Sequence, residues 1–342
     1  MKEDRIRWIS MAQVSACFAV VMLHCNGVFW QFPTGRLWYT SNFIECFFYW
    51  AVPVFFMISG ATLLDYQDRY STSTFLKKRL LRIAVPFVAW SCIGIIYSVH
   101  FEGLEISGWK EILDGVVNTK FVSVYWYFIP LIGVYLCMPF AAAIAKENKV
   151  KVYFYSLIVG FLFTSVIPTF CKVMSIPFNA AIIPTAFNGY IWYTFVGYLI
   201  QNFQIPYKFR KILYVLGIVG FAVQFFGTDV LSQRIGSIDS TFKGYLNFPA
   251  VLQSIAVMVL FRYLPYDKLN KNVIHLIDEV SKRTFGVYLM HIYLVWQLPK
   301  ILHVDPASIY FRTIGAVGIF FVCVLLCWLV SRIPVLNKIL GC

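Results

Sequence analysis

The sequence predicts an all-α, polytopic membrane helix bundle of about ten transmembrane helices with both termini cytoplasmic, and three observations carry that reading. First, 60% of the 342 residues are hydrophobic and 19% aromatic, only 13% are charged, and mean hydropathy is +0.71. Soluble domains carry about a quarter charged residues, so no water-soluble fold of this length hides so much apolar surface. Second, hydrophobic runs of about 20 residues, the length that crosses a bilayer as a helix, recur along the chain. Third, basic residues cluster at alternate loops between those runs, the pattern of the positive-inside rule.

The first span, 8–30, follows Lys2, Arg5 and Arg7. Its apolar run is too long for a cleaved signal peptide, and no small-residue cleavage pattern follows it. Gln13 and His24 are eleven residues apart, close to three helical turns, so they share a face roughly 16 Å apart along the axis. Ser10 lies one turn below Gln13 on nearly the same face. This polar stripe either lines a passage or bonds to a neighbouring helix. His24 is ionisable inside an apolar run, which marks either a functional site or a satisfied interhelical contact, and imidazole exchanges protons near neutral pH.

The second span, 42–64, carries Glu45 at nearly the depth of His24. Its carboxylate either fixes the imidazole tautomer or is solvated at headgroup level. Pro53 predicts a kink near mid-membrane, and Ser59-Gly60 a close approach by a backbone or ligand. The third span, 80–100, follows Arg69, Lys77, Lys78 and Arg79, and Arg82 stands in its first turn. Arg79 and Arg82 project from one helix side. They suit a phosphate or pyrophosphate, or else hold lipid headgroups.

Spans four and five, 123–145 and 151–169, flank Lys146, Lys149 and Lys151. The semi-polar stretch 170–184, with Pro168, Pro177 and Pro184 nearby, reads as a loop. Spans six to ten fall at 186–203, 211–229, 245–264, 284–300 and 308–331, with Lys208, Arg210 and Lys211 after the sixth. Arg262, Lys268, Lys271, Lys282 and Arg283 follow the eighth, and Arg332 and Lys338 follow the tenth. Most of the 29 basic residues thus lie on one side. The net charge of +13 is therefore a topology signal and a grip on anionic lipid, not a nucleic-acid footprint. The nine cysteines show neither a disulfide framework nor metal-ligand spacing. The chain reads as one integral membrane domain, 1–342.

Six segments, in order, resemble the acyltransferase-3 family of integral membrane O-acyltransferases, which decorate cell-surface polysaccharides. They are Arg7-Trp8-Ile9 leading to His24; Val52-Pro53-Val54-Phe55-Phe56-Met57-Ile58-Ser59-Gly60; Arg79-Leu80-Leu81-Arg82 with Pro86-Phe87; Tyr125-Trp126-Tyr127-Phe128 with Tyr135 and Pro139; Phe195-Val196-Gly197-Tyr198; and Phe285-Gly286-Val287-Tyr288-Leu289-Met290-His291. The resemblance implies the short, membrane-only form. It implies acyl transfer, in the first instance O-acetyl transfer, from acetyl-CoA or another acyl-CoA to a hydroxyl of a surface polysaccharide or its lipid-linked precursor, in the cell (inner) membrane and without a metal. His24 would be the general base, with Glu45 orienting it, and Arg79, Arg82 and Gln13 at the donor. The family pattern is a basic residue, ten intervening residues, then histidine; here the spacing is kept, but Gln13 occupies the basic position, a departure from the pattern that removes its charge. His291 matches a family position too, but packing is its better reading. Two other classes remain open. A transporter or flippase also has inward-facing polar groups, although no pair of broken helices in matching halves is visible. A catalytically silent relative with a structural role would consume no acyl-CoA.

Overall fold

The computed structural model describes residues 2–342, with side chains from Arg7 onward; Met1 and the side chains of Lys2 and Arg5 lie outside the described residues. The chain is 79% helical, and no strand occurs among the described residues. It is a multi-pass membrane protein in which seven helices are long and apolar enough to cross a bilayer.

Helix α1 (Lys2–Cys25) is followed by α2 (Gly35–Phe48) and α3 (Ala51–Leu63), then α4 (Thr72–Phe101) and the short amphipathic α5 (Trp109–Val117). The expected second span is therefore two helices broken at Tyr49-Trp50. The cause is Pro53, which has no N–H to bond the carbonyl four residues back and whose ring crowds it. The third span begins two turns earlier than expected, at the N-cap Ser71, whose hydroxyl accepts from the Thr74 amide. Arg79 and Arg82 consequently lie well inside α4.

Next come α6 (Phe128–Ala142), α7 (Lys146–Gly160) and α8 (Ile167–Val173), the last two joined by a π-helical turn at Phe161–Val166. α9 (Ile191–Asn202), α10 (Tyr207–Ile235), α11 (Phe248–Tyr263) and the amphipathic α12 (Lys271–Ser281) follow. α13 (Thr284–Leu302), a π-helical turn at Phe311–Gly315, α14 (Ala316–Val330) and α15 (Pro334–Leu340) complete the chain. The expected sixth, eighth and ninth spans are α9, α11 and α13, which do not reach the length and apolarity of the other seven.

These shorter helices sit inside the bundle. Every residue of α9 from Trp192 to Ile200 is buried, so its backbone ends meet protein rather than lipid. Gly60 of α3 and Gly197 of α9 make that packing possible. A Cβ on Gly60 would lie 1.9 Å from the Thr194 carbonyl oxygen, and one on Gly197 would lie 1.9 Å from that of Met57. The two backbones therefore touch, as small residues permit in membranes. α1 runs through the middle, packed against α2, α3, α11, α12, α13 and α14. Its polar stripe accordingly faces protein and cavities.

Candidate functional site: two cavities on either side of a histidine pair

The last turn of α1 and the middle of α13 bring His24 and His291 together, with His24 Nδ1 2.6 Å from His291 Nε2. His291 is fully buried, and its Nδ1 lies 2.7 Å from the Tyr288 carbonyl oxygen and 3.2 Å from that of Val287. Carbonyls only accept, so Nδ1 of His291 carries the proton and donates. A neutral imidazole then has Nε2 as its acceptor, which fixes the next bond: His24 Nδ1–H donates to His291 Nε2. The lone pair of His24 is thereby left on Nε2. Two backbone carbonyls at a helix turn thus set the tautomer of a side chain on another helix, the logic by which an oriented imidazole becomes a competent base.

His24 lines a cavity of about 630 Å³ at this end of the bundle, with Gly27, Trp30, Gln31, Trp296, Lys300 and Asp305 among its walls. A second cavity, about 260 Å³, lies toward the other end of α1. Gln13, Arg79 and Arg82 all line it, together with Ser59, Tyr135, Thr284 and Tyr288, and no carboxylate is among its walls. The Arg79 Nε is buried with no hydrogen-bond partner. A desolvated guanidinium nitrogen without an acceptor is costly, and an anionic ligand would satisfy it. Gln13 Nε2 donates to Thr284 Oγ1 at 2.7 Å and to the Ser281 carbonyl at 3.3 Å, so its amide fastens α1 to the start of α13. The two cavities share no wall residue. Val20 and Tyr288 line the basic cavity and lie about a turn from the histidine pair, each along its own helix.

Glu45 does not pair with His24. Its Oε1 accepts from Lys243 Nζ at 2.6 Å, and both side chains are buried. The Lys243 ammonium also lies over the rings of Tyr49 (4.1 Å), Phe29 (4.6 Å) and Trp30 (4.9 Å). Depth along two consecutive helices suggested the His24–Glu45 pairing, but Glu45 leaves α2 toward the loop that carries Lys243. His291, expected to be packing, takes the place at His24 instead. Sequence gave a usable signal for it, since an ionisable residue in an apolar run is a candidate by default. Lys243, in a loop, gave none. Arg312 was also missed: its buried guanidinium donates to Asn26 Oδ1 (3.1 Å), Thr40 Oγ1 (3.0 Å) and the Ala307 carbonyl (2.9 Å). It ties the turn before α14 to the end of α1. Among the described residues, no three metal-ligating side chains converge.

The family model described as an acyltransferase domain matches residues 6–332, nearly the whole chain. No curated protein and no solved structure matches it.

Proposed function

The chain belongs to the acyltransferase-3 family, and from that premise we propose that it is an O-acyltransferase, in the first instance an O-acetyltransferase, of the cell membrane. It would move an acyl group from cytoplasmic acyl-coenzyme A to a hydroxyl of a cell-surface polysaccharide or its lipid-linked precursor. The observation that carries this reading is one central helix, α1, that borders a cavity holding Arg79 and Arg82, with Arg79 Nε unpartnered, toward one end and bears a histidine with a free Nε2 toward the other. The positive-inside pattern supports a cytoplasmic arginine end, on the side where acyl-coenzyme A is found.

Arg79 and Arg82 hold the phosphates of the donor, and Gln13 contributes an amide where the family pattern has a charge. The pantetheine arm passes Val20 and Tyr288 to bring the thioester to His24. The acceptor hydroxyl gives its proton to His24 Nε2 as its oxygen attacks the thioester carbon. The imidazolium so formed keeps its Nδ1–H bond to His291 Nε2, which stabilises the charge. Collapse of the tetrahedral intermediate breaks the carbon–sulfur bond, and His24 returns the proton to the leaving thiolate. Acceptor ester and coenzyme A are the products. Glu45 has no part in these proton transfers.

The test is mass spectrometry of surface glycans from cells with the protein, without it, and with His24→Ala. Loss of one acyl mass in the last two supports the reading; wild-type acylation with His24→Ala overturns it. Consumption of labelled acyl-coenzyme A by purified protein in vesicles excludes a carrier and a silent partner together.

A further inference from the structure

The cavity at His24 has a composition that the donor does not explain. Coenzyme A brings phosphates, and the phosphate-binding chemistry lies at the other end of α1. The walls around His24 are largely apolar, with Leu23, Val28, Ile292 and Val295 beside two indoles, Trp30 and Trp296, and they carry an amide, an ammonium and a carboxylate from Gln31, Lys300 and Asp305. The aliphatic walls alone would suit a lipid tail, but a tail leaves the three polar groups unused, and a small anion leaves the indoles unused. A sugar ring presents both complements, a flat C–H face and a rim of hydroxyls. The volume, about 630 Å³, falls within the roughly 300–1,000 Å³ of ordinary small-molecule sites, which is far more than an acetyl group fills.

Trp30 is held ready in a particular way. It is 60% exposed, so one broad surface of the indole is open. Lys243 Nζ lies over its ring at 4.9 Å, and the Phe29 ring meets it edge-on at 5.2 Å. Lys243 is fixed in turn by Glu45. An ammonium over an indole pins the ring's position through the ring quadrupole. The Glu45–Lys243 pair thus supports the side chain from behind, and it reaches neither His24 nor the basic cavity's wall.

Building on the proposed acyl transfer, we propose that this cavity is the acceptor subsite, that it takes a saccharide of the surface glycan, and that Trp30 is its stacking platform. Glu45 and Lys243 are positioning residues for that platform. Trp296, braced by Tyr97 and Tyr293 at 5.2 and 5.7 Å between ring centres, forms the second aromatic wall.

Binding measured without chemistry tests this separately from acyl transfer. The probe is oligosaccharide released from the surface glycan of cells lacking the protein, titrated onto purified His24→Ala protein in detergent and followed by saturation-transfer NMR. Trp30→Ala in that background is expected to weaken saccharide binding roughly 3- to 10-fold and leave coenzyme A affinity unchanged. Lys243→Met alone strands a buried carboxylate, so the double variant Glu45→Gln/Lys243→Met, which removes both charges, keeps the test readable; it should weaken the saccharide in the same direction as Trp30→Ala. Saccharide bound equally by Trp30→Ala reduces the residue to a membrane-interface anchor and overturns the proposal, as does no binding at all. Saccharide binding with no acyl transfer by the wild-type protein would sink the proposed reaction while leaving the subsite standing. In the active protein, Glu45→Gln should raise the KM for acceptor and leave the pH profile of kcat in place; a displaced profile would return Glu45 to His24 and overturn its positioning role.

Discussion

At the scale of single residues, the histidine pair turns a position into a direction. His24 alone, read from sequence, is an ionisable side chain in an apolar helix. His291, 267 residues away, decides which nitrogen is free. No pattern along the chain could reveal that, because pairing depends on how α1 and α13 pack. The consequence is measurable. His24→Ala removes the base and should lower acyl transfer by about 10²- to 10⁴-fold. His291→Ala leaves the base but frees its tautomer, so the fall should be smaller. His291→Gln, whose side-chain oxygen can accept the His24 Nδ1–H bond, should recover part of that loss. Equal activity of the Ala and Gln variants would show that the bond has no catalytic weight. At the other end of α1, Arg79→Ala or Arg82→Ala should weaken coenzyme A binding roughly 10- to 100-fold, since a charged hydrogen bond contributes about 1.5–3 kcal/mol. Unchanged titration of the purified variants would reduce the pair to a lipid anchor. The Arg pair was legible because i, i+3 spacing fixes a shared face; the Glu45 pairing was misread because depth says nothing about azimuth.

At the scale of elements, the sequence shows breaks better than partners. Pro53 announced the kink that divides α2 from α3, and Ser59-Gly60 announced a close approach that proves to be the backbone of α9. The π-helical turn at Phe161–Val166 falls just before Pro168, whose missing N–H leaves the Thr164 carbonyl without its helical partner, but the turn at Phe311–Gly315 has no such marker. One extra residue in a turn rotates the following face by about 100°, but Ala316–Val330 is apolar all round, so no stripe exists to show the shift. The reciprocal glycines carry a prediction about stability. Gly60→Ala and Gly197→Ala each place a methyl group 1.9 Å from a carbonyl oxygen, so α3 and α9 must separate. Overpacking of this kind costs about 1–3 kcal/mol, and both variants should melt earlier in detergent than the wild type. Gly133→Ala is the control: nothing lies within 4 Å of its Cβ position, and it should melt at or above the wild-type temperature. If all three melt alike, the α3–α9 contact is not what holds the centre of the bundle.

For the whole molecule, sidedness decides whether the two cavities can serve one route or are two unrelated pits. Composition was enough to place the chain in a membrane. Length alone separated spans less well, because α9, α11 and α13 are shielded by the seven long helices and need not meet lipid along their full length. A buried helix can be short or polar without exposing unsatisfied backbone, so hydropathy gives no firm count for such segments. The basic residues constrain orientation independently. Arg79 and Arg82 share their helix with Lys77 and Lys78, whereas the walls of the cavity at His24 carry a single lysine, Lys300, beside the carboxylate of Asp305. Reporter fusions after Gln67 and Asn148 should therefore behave as cytoplasmic, and those after Gly108 and Ser237 as external. If the last two also read as cytoplasmic, His24 and Trp30 would face the same compartment as the donor. The acceptor would then have to be a cytoplasmic glycan precursor, and no acyl group would need to cross the membrane.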